Sequence, residues 1–333
     1  MGRIYLMANL GHDHSVAVVI PVYNGRESLE SVVDSLQKFS HSTISPQGLS
    51  FNVTEVILVF DCGTDGTEVV LRNLEQKYNS VRVVWLTRNY GQHAATLAGM
   101  ASTTAEWIIT IDEDGQQNPD DIPRMLDIAR THSAQLVYAK PNNKPPHGRL
   151  RNIASRMTKG PISKLLTGGE VQNFNSFRLI LGETGRTLAA YVGHGVYLDV
   201  ALLWIVRKSA TCEVHLRGEN RRNSGYNRKA LLSHFWRLVL SSGTRLLRIA
   251  SVVGILSFIL GVVLAFTIGL GKIYFDYSIT GWASMFIALL LFGGSILLFI
   301  GIIAEYIGLL VRTSIGKPLY VIGSDPQKSS LDH

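Results

Sequence analysis

Asp112 and Asp114 are two carboxylates separated by one residue, directly after the apolar run 107–111. At that spacing a turn can aim both at one hard divalent cation, and Mg²⁺ or Mn²⁺ held this way keeps open positions for phosphate oxygens. An acidic turn alone is more often a solvated loop. Here, however, three other polar loops follow apolar runs in the same manner: Pro21-Val22-Tyr23-Asn24, Asp61 with Asp65, and Arg88-Asn89-Tyr90-Gly91, while Gln116 follows the acidic pair. No Ser/His/Asp arrangement for nucleophilic catalysis is recognisable. Cys62 and Cys212 lie far apart, which excludes a disulfide framework and a Cys-x-x-Cys zinc site and suggests a reducing compartment.

The elements that must position these residues are legible in the hydrophobic pattern. The runs 16–22, 53–60, 81–86, 107–111 and 135–139 read as buried strands, and the segments 27–39, 67–78, 92–101 and 120–132 carry helical apolar spacing. This alternation implies an α/β fold with a largely parallel sheet covered on both faces. In such sheets ligands bind beyond the carboxyl ends of the strands, where the polar loops fall.

The composition points to lipid. Of 333 residues, 46% are hydrophobic and only 17% charged, with a mean hydropathy of +0.17, which is too apolar for an ordinary soluble enzyme. Residues 249–271 and 277–304 contain no charged side chain. Each run exceeds the roughly 20 residues needed to cross a hydrocarbon core and is expected to be a transmembrane helix. Arg228, Lys229, Arg237, Arg245 and Arg248 precede the first run, and Arg312 and Lys317 follow the second, so both ends are expected in the cytoplasm. Between 228 and 248, Leu231, Leu232, Phe235, Trp236, Leu238, Val239 and Leu246 share one helical face, opposite His234, Arg237, Ser241, Arg245 and Arg248. That pattern fits an interfacial helix, the alternative being a helix packed on the sheet domain. Lys and Arg exceed Asp and Glu by 32 to 25, a formal +7. Each basic group near an anionic leaflet contributes about 1 kcal/mol, so membrane docking explains the excess better than nucleic acid does. Residues 1–14 contain no apolar run long enough for a secretory signal.

The strings Val19-Ile20-Pro21-Val22-Tyr23-Asn24, Arg88-Asn89-Tyr90-Gly91-Gln92-His93-Ala94-Ala95 and Asp112-Glu113-Asp114-Gly115-Gln116-Gln117-Asn118-Pro119 resemble inverting family 2 glycosyltransferases of the GT-A fold. The chain looks most like the polyprenyl-phosphate branch, which includes dolichyl-phosphate mannose synthases and the undecaprenyl-phosphate glucosyl and aminoarabinosyl transferases. The resemblance continues through Asn175-Ser176-Phe177-Arg178-Leu179, Ser224-Gly225-Tyr226-Asn227, the stretch 298–308, and Lys317-Pro318-Leu319-Tyr320.

The resemblance implies a GT-A domain over 1–227, an amphipathic helix over 228–248, a two-helix anchor over 249–312 and a cytoplasmic tail over 313–333, in a cell membrane, with the bacterial inner membrane first in mind. It implies that Pro21, Tyr23, Asn24, Asp61 and Arg88 surround the nucleotide of a UDP- or GDP-sugar. Asp112 and Asp114 become the metal-diphosphate motif, and Gln116 lies beside the donor sugar or reacting phosphate. The second loop departs from the family, reading Phe60-Asp61-Cys62-Gly63 where two acids and Gly-Ser are usual. Asp61 could instead belong to a helix-capping turn with Thr64 and Asp65, and Arg88 could be a structural ion-pair residue. The acceptor is expected to be polyprenyl phosphate, undecaprenyl or dolichyl. As a phosphate with a second pKa near 6, it is mostly dianionic at neutral pH and needs no general base. Lys140, Lys144, Arg149, Arg151 and Arg156 are candidates for holding it, Arg149 and Arg151 first, with Arg221 and Arg222 behind them. His194 and Asp199 read as a packed or surface pair rather than an acid and base. Glu305 is expected at the interface near Arg312. Competing readings are transfer to another lipid or glycan, for which Asp199 is the candidate base, and a catalytically silent nucleotide-binding scaffold. A homo-oligomer is compatible with all of them.

Overall fold

The computed structural model describes residues 13–143, 174–193, 196–217 and 281–328, together with scattered positions between 252 and 270. The first half alternates strand and helix: β1 (His14–Val22), α1 (Leu29–Leu36), β2 (Thr43–Ile44), β3 (Ser50–Phe60), α2 (Thr67–Lys77), β4 (Val81–Leu86), α3 (Gln92–Ala101), β5 (Trp107–Thr110) and α4 (Ile122–His132). After β6 (Leu136–Pro141) come β7 (Arg178–Leu181), helices Gly182–Tyr191 and Leu198–Ile205, and β8 (Ser209–Val214). The long helix Trp282–Ser314 and the short strand β9 (Ile322–Gly323) follow.

Among the described residues these strands form one sheet in the order β8-β6-β7-β5-β1-β3-β4-β9, with β2 beside β3. The central pairs β5/β1, β1/β3 and β3/β4 are parallel, as is β6/β8. Insertion of β7 antiparallel to both β5 and β6, and of β9 antiparallel to β4, makes the sheet mixed at its flanks. All five expected strands and four expected helices are present; β2, β7, β8 and β9 were not anticipated.

Alternation along the central strands feeds two cores. Val18, Ile20 and Val22 of β1 and Leu58 and Phe60 of β3 pack with Val33 and Leu36 of α1, Leu71 of α2 and Met125 of α4. Val19, Ile57 and Val59 face the other way, onto Ala95, Ala98 and Met100 of α3 and Leu188, Leu198 and Leu202 of the later helices. Burial on both faces is why these strands read as continuous apolar runs. Gly99 lets α3 lie close on the sheet, since a Cβ there would stand 2.3 Å from Val19 Cγ1.

The helix Trp282–Ser314 has 33 residues, a length of about 50 Å at 1.5 Å per residue. Met285, Leu289, Leu297, Ile300 and Leu310 on it are exposed, and the described positions from Val252 to Leu270 are helical as well. Among the described residues, no helix is long and apolar enough to cross a membrane. The expected interfacial helix over 228–248 lies outside the described residues.

Candidate active site

The carboxyl ends of β1, β3, β4 and β5 bring the four polar loops to one edge of the sheet, and Glu113 ties the first to the last. Its carboxylate accepts the backbone N–H groups of Tyr23 (3.0 Å) and Asn24 (3.2 Å), and its carbonyl accepts the Ser28 hydroxyl (2.6 Å). Asn24 Oδ1 accepts the N–H of Thr64, joining the second loop to the first. This lattice has no room for side chains at its crossings. A Cβ on Gly25 would lie 2.6 Å from Glu113 Oε2, and one on Gly63 would lie 1.3 Å from the Tyr23 carbonyl oxygen.

Asp61 is buried and accepts the N–H groups of Tyr90 (2.7 Å) and Gly91 (2.8 Å), so its carboxylate holds the third loop in place. Burial pushes its pKa up, and the two N–H groups oppose that shift. The capping turn belongs to its neighbour: Asp65 accepts both the N–H and the hydroxyl of Thr67 at the start of α2. Cys62 occupies left-handed backbone space at φ 52°, a conformation costly for any residue with a Cβ, and its thiol meets the Leu86 carbonyl at 3.1 Å. Arg88 stacks over the Tyr90 ring, 4.6 Å from the centroid, and this cation–π contact takes the place of the ion pair considered for it.

Asp112 is held on every side. Its Oδ1 accepts from Gln92 at 2.7 Å and its Oδ2 from Gln117 at 3.0 Å and Ser176 at 2.5 Å, while its own N–H donates to Gln117 Oε1. Desolvation, opposed by the Ser176 hydroxyl and reinforced by the charge of Asp114, raises its pKa to about 6. Asp114 is exposed and accepts the N–H of Gln116 at 3.0 Å. A desolvated carboxylate repelled by a second one, two residues on, fits a hard divalent cation, whose charge would relieve both effects. The described residues contain no cluster of three or more His, Cys, Asp or Glu able to cage a metal, so most of its coordination would fall to waters and phosphate oxygens.

A cavity of about 300 Å³ opens beside Asp112 and is lined by Gln92, Phe174, Ser176, Arg178, Tyr197 and Asp199, among others. Arg178 and Asp199 form an ion pair at 2.5 Å, and the Tyr138 hydroxyl donates to the same Asp199 oxygen at 3.0 Å. Asp199 is 2% exposed and Arg178 4%. Burial raises the Asp199 pKa, with the guanidinium opposing. Of the two alternatives, packed or at the surface, Asp199 is packed: it is a buried member of the cavity wall, paired with Arg178, while His194 lies outside the described residues.

Lys140 is exposed at the end of β6, opposite Glu213 in the β6/β8 register. Lys144, Arg149, Arg151, Arg156, Arg221 and Arg222 lie outside the described residues. Pro21 lines the cavity and Tyr23 is 41% exposed at its loop. Gln92, Glu113, Gln117, Arg178 and Ser176 were not singled out from sequence, although each stands in or beside a recognised motif. Their polar types at strand ends were the available signal.

The glycosyl transferase family 2 model matches residues 17–204. Undecaprenyl-phosphate 4-deoxy-4-formamido-L-arabinose transferase of Yersinia pestis (strain Pestoides F) is 27% identical, covering 95% of this chain and 96% of its own. The protein of the same name from Yersinia pseudotuberculosis serotype O:3 (strain YPIII) matches equally. Among solved structures, glucosyl-3-phosphoglycerate synthase from Mycobacterium tuberculosis with phosphoglyceric acid aligns at a TM-score of 0.50 and 19% identity, covering 70% of this chain and 80% of that one. The same enzyme with Mn²⁺ and UDP-glucose aligns at 0.50 and 20%, covering 70% and 79%. These two likenesses show a shared α/β, GT-A-like fold. With the family match extending over more than half its length, the chain belongs to glycosyl transferase family 2.

Proposed function

We propose that this glycosyltransferase moves a sugar, with inversion, from a UDP- or GDP-sugar to a polyprenyl phosphate at the cytoplasmic face of a cell membrane, the bacterial inner membrane first. The observation that carries the reading is the match to an undecaprenyl-phosphate sugar transferase along 95% of this chain, a coverage too large to leave out the uncharged runs 249–271 and 277–304.

In this reading Pro21, Tyr23, Asn24, Asp61 and Arg88 surround the nucleotide, Asp61 by fixing the loop that carries Arg88. Asp112 and Asp114 hold Mg²⁺ or Mn²⁺, which when bound neutralises charge on the departing diphosphate. Gln116 lies beside the donor sugar, and Lys140, Arg149 and Arg151 hold the acceptor phosphate. A phosphate oxygen attacks the anomeric carbon from the face opposite the diphosphate. The new C–O bond forms as the bond to the diphosphate breaks, and the nucleoside diphosphate leaves with that electron pair. No proton has to be removed from a dianionic acceptor. The uncharged runs 249–271 and 277–304 anchor the enzyme, and the exposed apolar side chains of Trp282–Ser314 suit a lipid environment.

The test is transfer of radiolabelled sugar from a panel of UDP- and GDP-sugars to undecaprenyl phosphate in vesicles, with and without EDTA. One donor is expected to give a lipid-linked product that EDTA abolishes. Absence of product with every donor in the presence of Mg²⁺ and Mn²⁺ would overturn the reading.

A further inference from the structure

The Arg178–Asp199 pair is paradoxical as a purely structural feature. A buried ion pair recovers the cost of desolvation only when its remaining donors and acceptors are satisfied. Here Tyr138 and Arg178 share one Asp199 oxygen, and among the described residues the rest of the guanidinium reaches only the Ser176 carbonyl, at 3.4 Å. Neither Asp199 Oδ2 nor Arg178 Nη2 counts among the sealed, unpartnered polar atoms of the described residues. Both residues line the cavity beside Asp112, so an acceptor and a donor stand side by side facing open space.

Part of the lining beside this pair is aromatic. Phe174 and Tyr197 stack with centroids 6.2 Å apart, and His93 meets Tyr197 at 4.6 Å. A small cavity with an aromatic wall, a neighbouring donor and acceptor, and two carboxylates against one guanidinium disfavours an anion and suits an uncharged ring bearing hydroxyls. At about 300 Å³ it lies at the low end of ligand pockets, roughly 300–1,000 Å³, the scale of a single sugar. Its contact with Asp112 places it next to where the diphosphate would lie.

We infer that this cavity reads the donor's sugar: Asp199 accepts from one ring hydroxyl, Arg178 donates to its neighbour, and Phe174 and Tyr197 cover a face of the pyranose. The inference rests on the proposed function, because it takes a nucleotide sugar as the donor. It makes Arg178 and Asp199 determinants of sugar specificity rather than an acid and base.

Calorimetry on the full-length protein in detergent with Mn²⁺ tests it, using UDP, GDP, UDP-glucose, UDP-galactose, UDP-xylose and GDP-mannose. Asp199→Asn and Arg178→Lys are expected to weaken binding of the preferred nucleotide sugar roughly 10-fold or more, the scale of a lost charge-assisted hydrogen bond. Binding of the bare nucleotide should stay unchanged. Tyr138→Phe, which touches Asp199 from the core side, should lower the melting temperature while keeping the wild-type ratio of donor affinities. Equal weakening of nucleotide and nucleotide sugar in the Asp199 and Arg178 variants would show a structural role and overturn the inference. So would unchanged donor affinity with loss of turnover and of the acidic limb of the pH–rate profile, the signature of a general base. A wild-type protein that binds none of the six probes would remove the proposed function itself, and this inference with it.

Discussion

Glu113 lies between the two acids assigned to the cation, yet its carboxylate turns back to hold the backbone of Tyr23 and Asn24. Its removal should therefore disturb the nucleotide loop and leave the metal ligands in place. Glu113→Ala is expected to raise KM for the donor about 10-fold, the cost of losing hydrogen bonds to a charged group, with a smaller change in kcat, read in steady-state kinetics. Asp114→Asn should instead lower kcat by at least 100-fold, roughly the loss seen when one group stabilising transition-state charge is removed, with the fold intact by circular dichroism. The adjacent pair Cys62 and Gly63 separates strain from space. Cys62→Gly relieves a left-handed backbone that costs roughly 1–2 kcal/mol, offset in part by glycine's greater freedom when unfolded, so its melting temperature should hold or rise. Gly63→Ala drives a methyl into the Tyr23 carbonyl, and should lower the melting temperature and abolish donor binding.

At the scale of elements, α3 is the lever that sets Asp112, because Gln92 in its first turn donates to that carboxylate. Gly99→Val would push α3 away from Val19 and Val59; overpacking of this kind costs about 1–3 kcal/mol. The expected result is a lower melting temperature together with a loss of activity larger than unfolding alone explains, checked by assay well below the transition. The helices and strands up to His132 were legible because burial on one or both faces writes a period into the chain. β7 was not, since its four residues begin with Arg178, a charge that looks out of place until Asp199, 21 residues away, supplies its partner. β9 has two residues and no periodicity to read. The acidic pair was legible from type and spacing alone. Its supports were not, because Ser176 reaches Asp112 across 64 residues, and which of Asp61 and Asp65 caps a helix depends on the position of a distant loop.

Across the whole molecule, the tail after the long helix returns to the sheet. β9 pairs with β4, the Thr87 N–H donates to the Val321 carbonyl at 3.1 Å, and Arg72 grips Asp325 through two nitrogens. The guanidinium holds the Asp325 carboxyl below the usual range. A lowered folded-state pKa means that this contribution is fully present above the ordinary aspartate value of about 3.9 and disappears as pH falls through the lower, folded-state value. Tail protection in hydrogen exchange should thus be flat from pH 7 to about 5 and collapse only in strong acid, whereas Arg72→Ala should expose the tail at pH 7. Because Ser314 closes the long helix and Ile322 opens β9, only the seven residues 315–321 lie between them, a leash of at most about 28 Å fully extended. In the membrane arrangement proposed above, that leash would set the working height of the catalytic edge over the lipid. A flexible spacer spliced into it would let the edge ride off the surface, so the enzyme would still bind its soluble donor while losing reach to a headgroup that cannot leave the membrane.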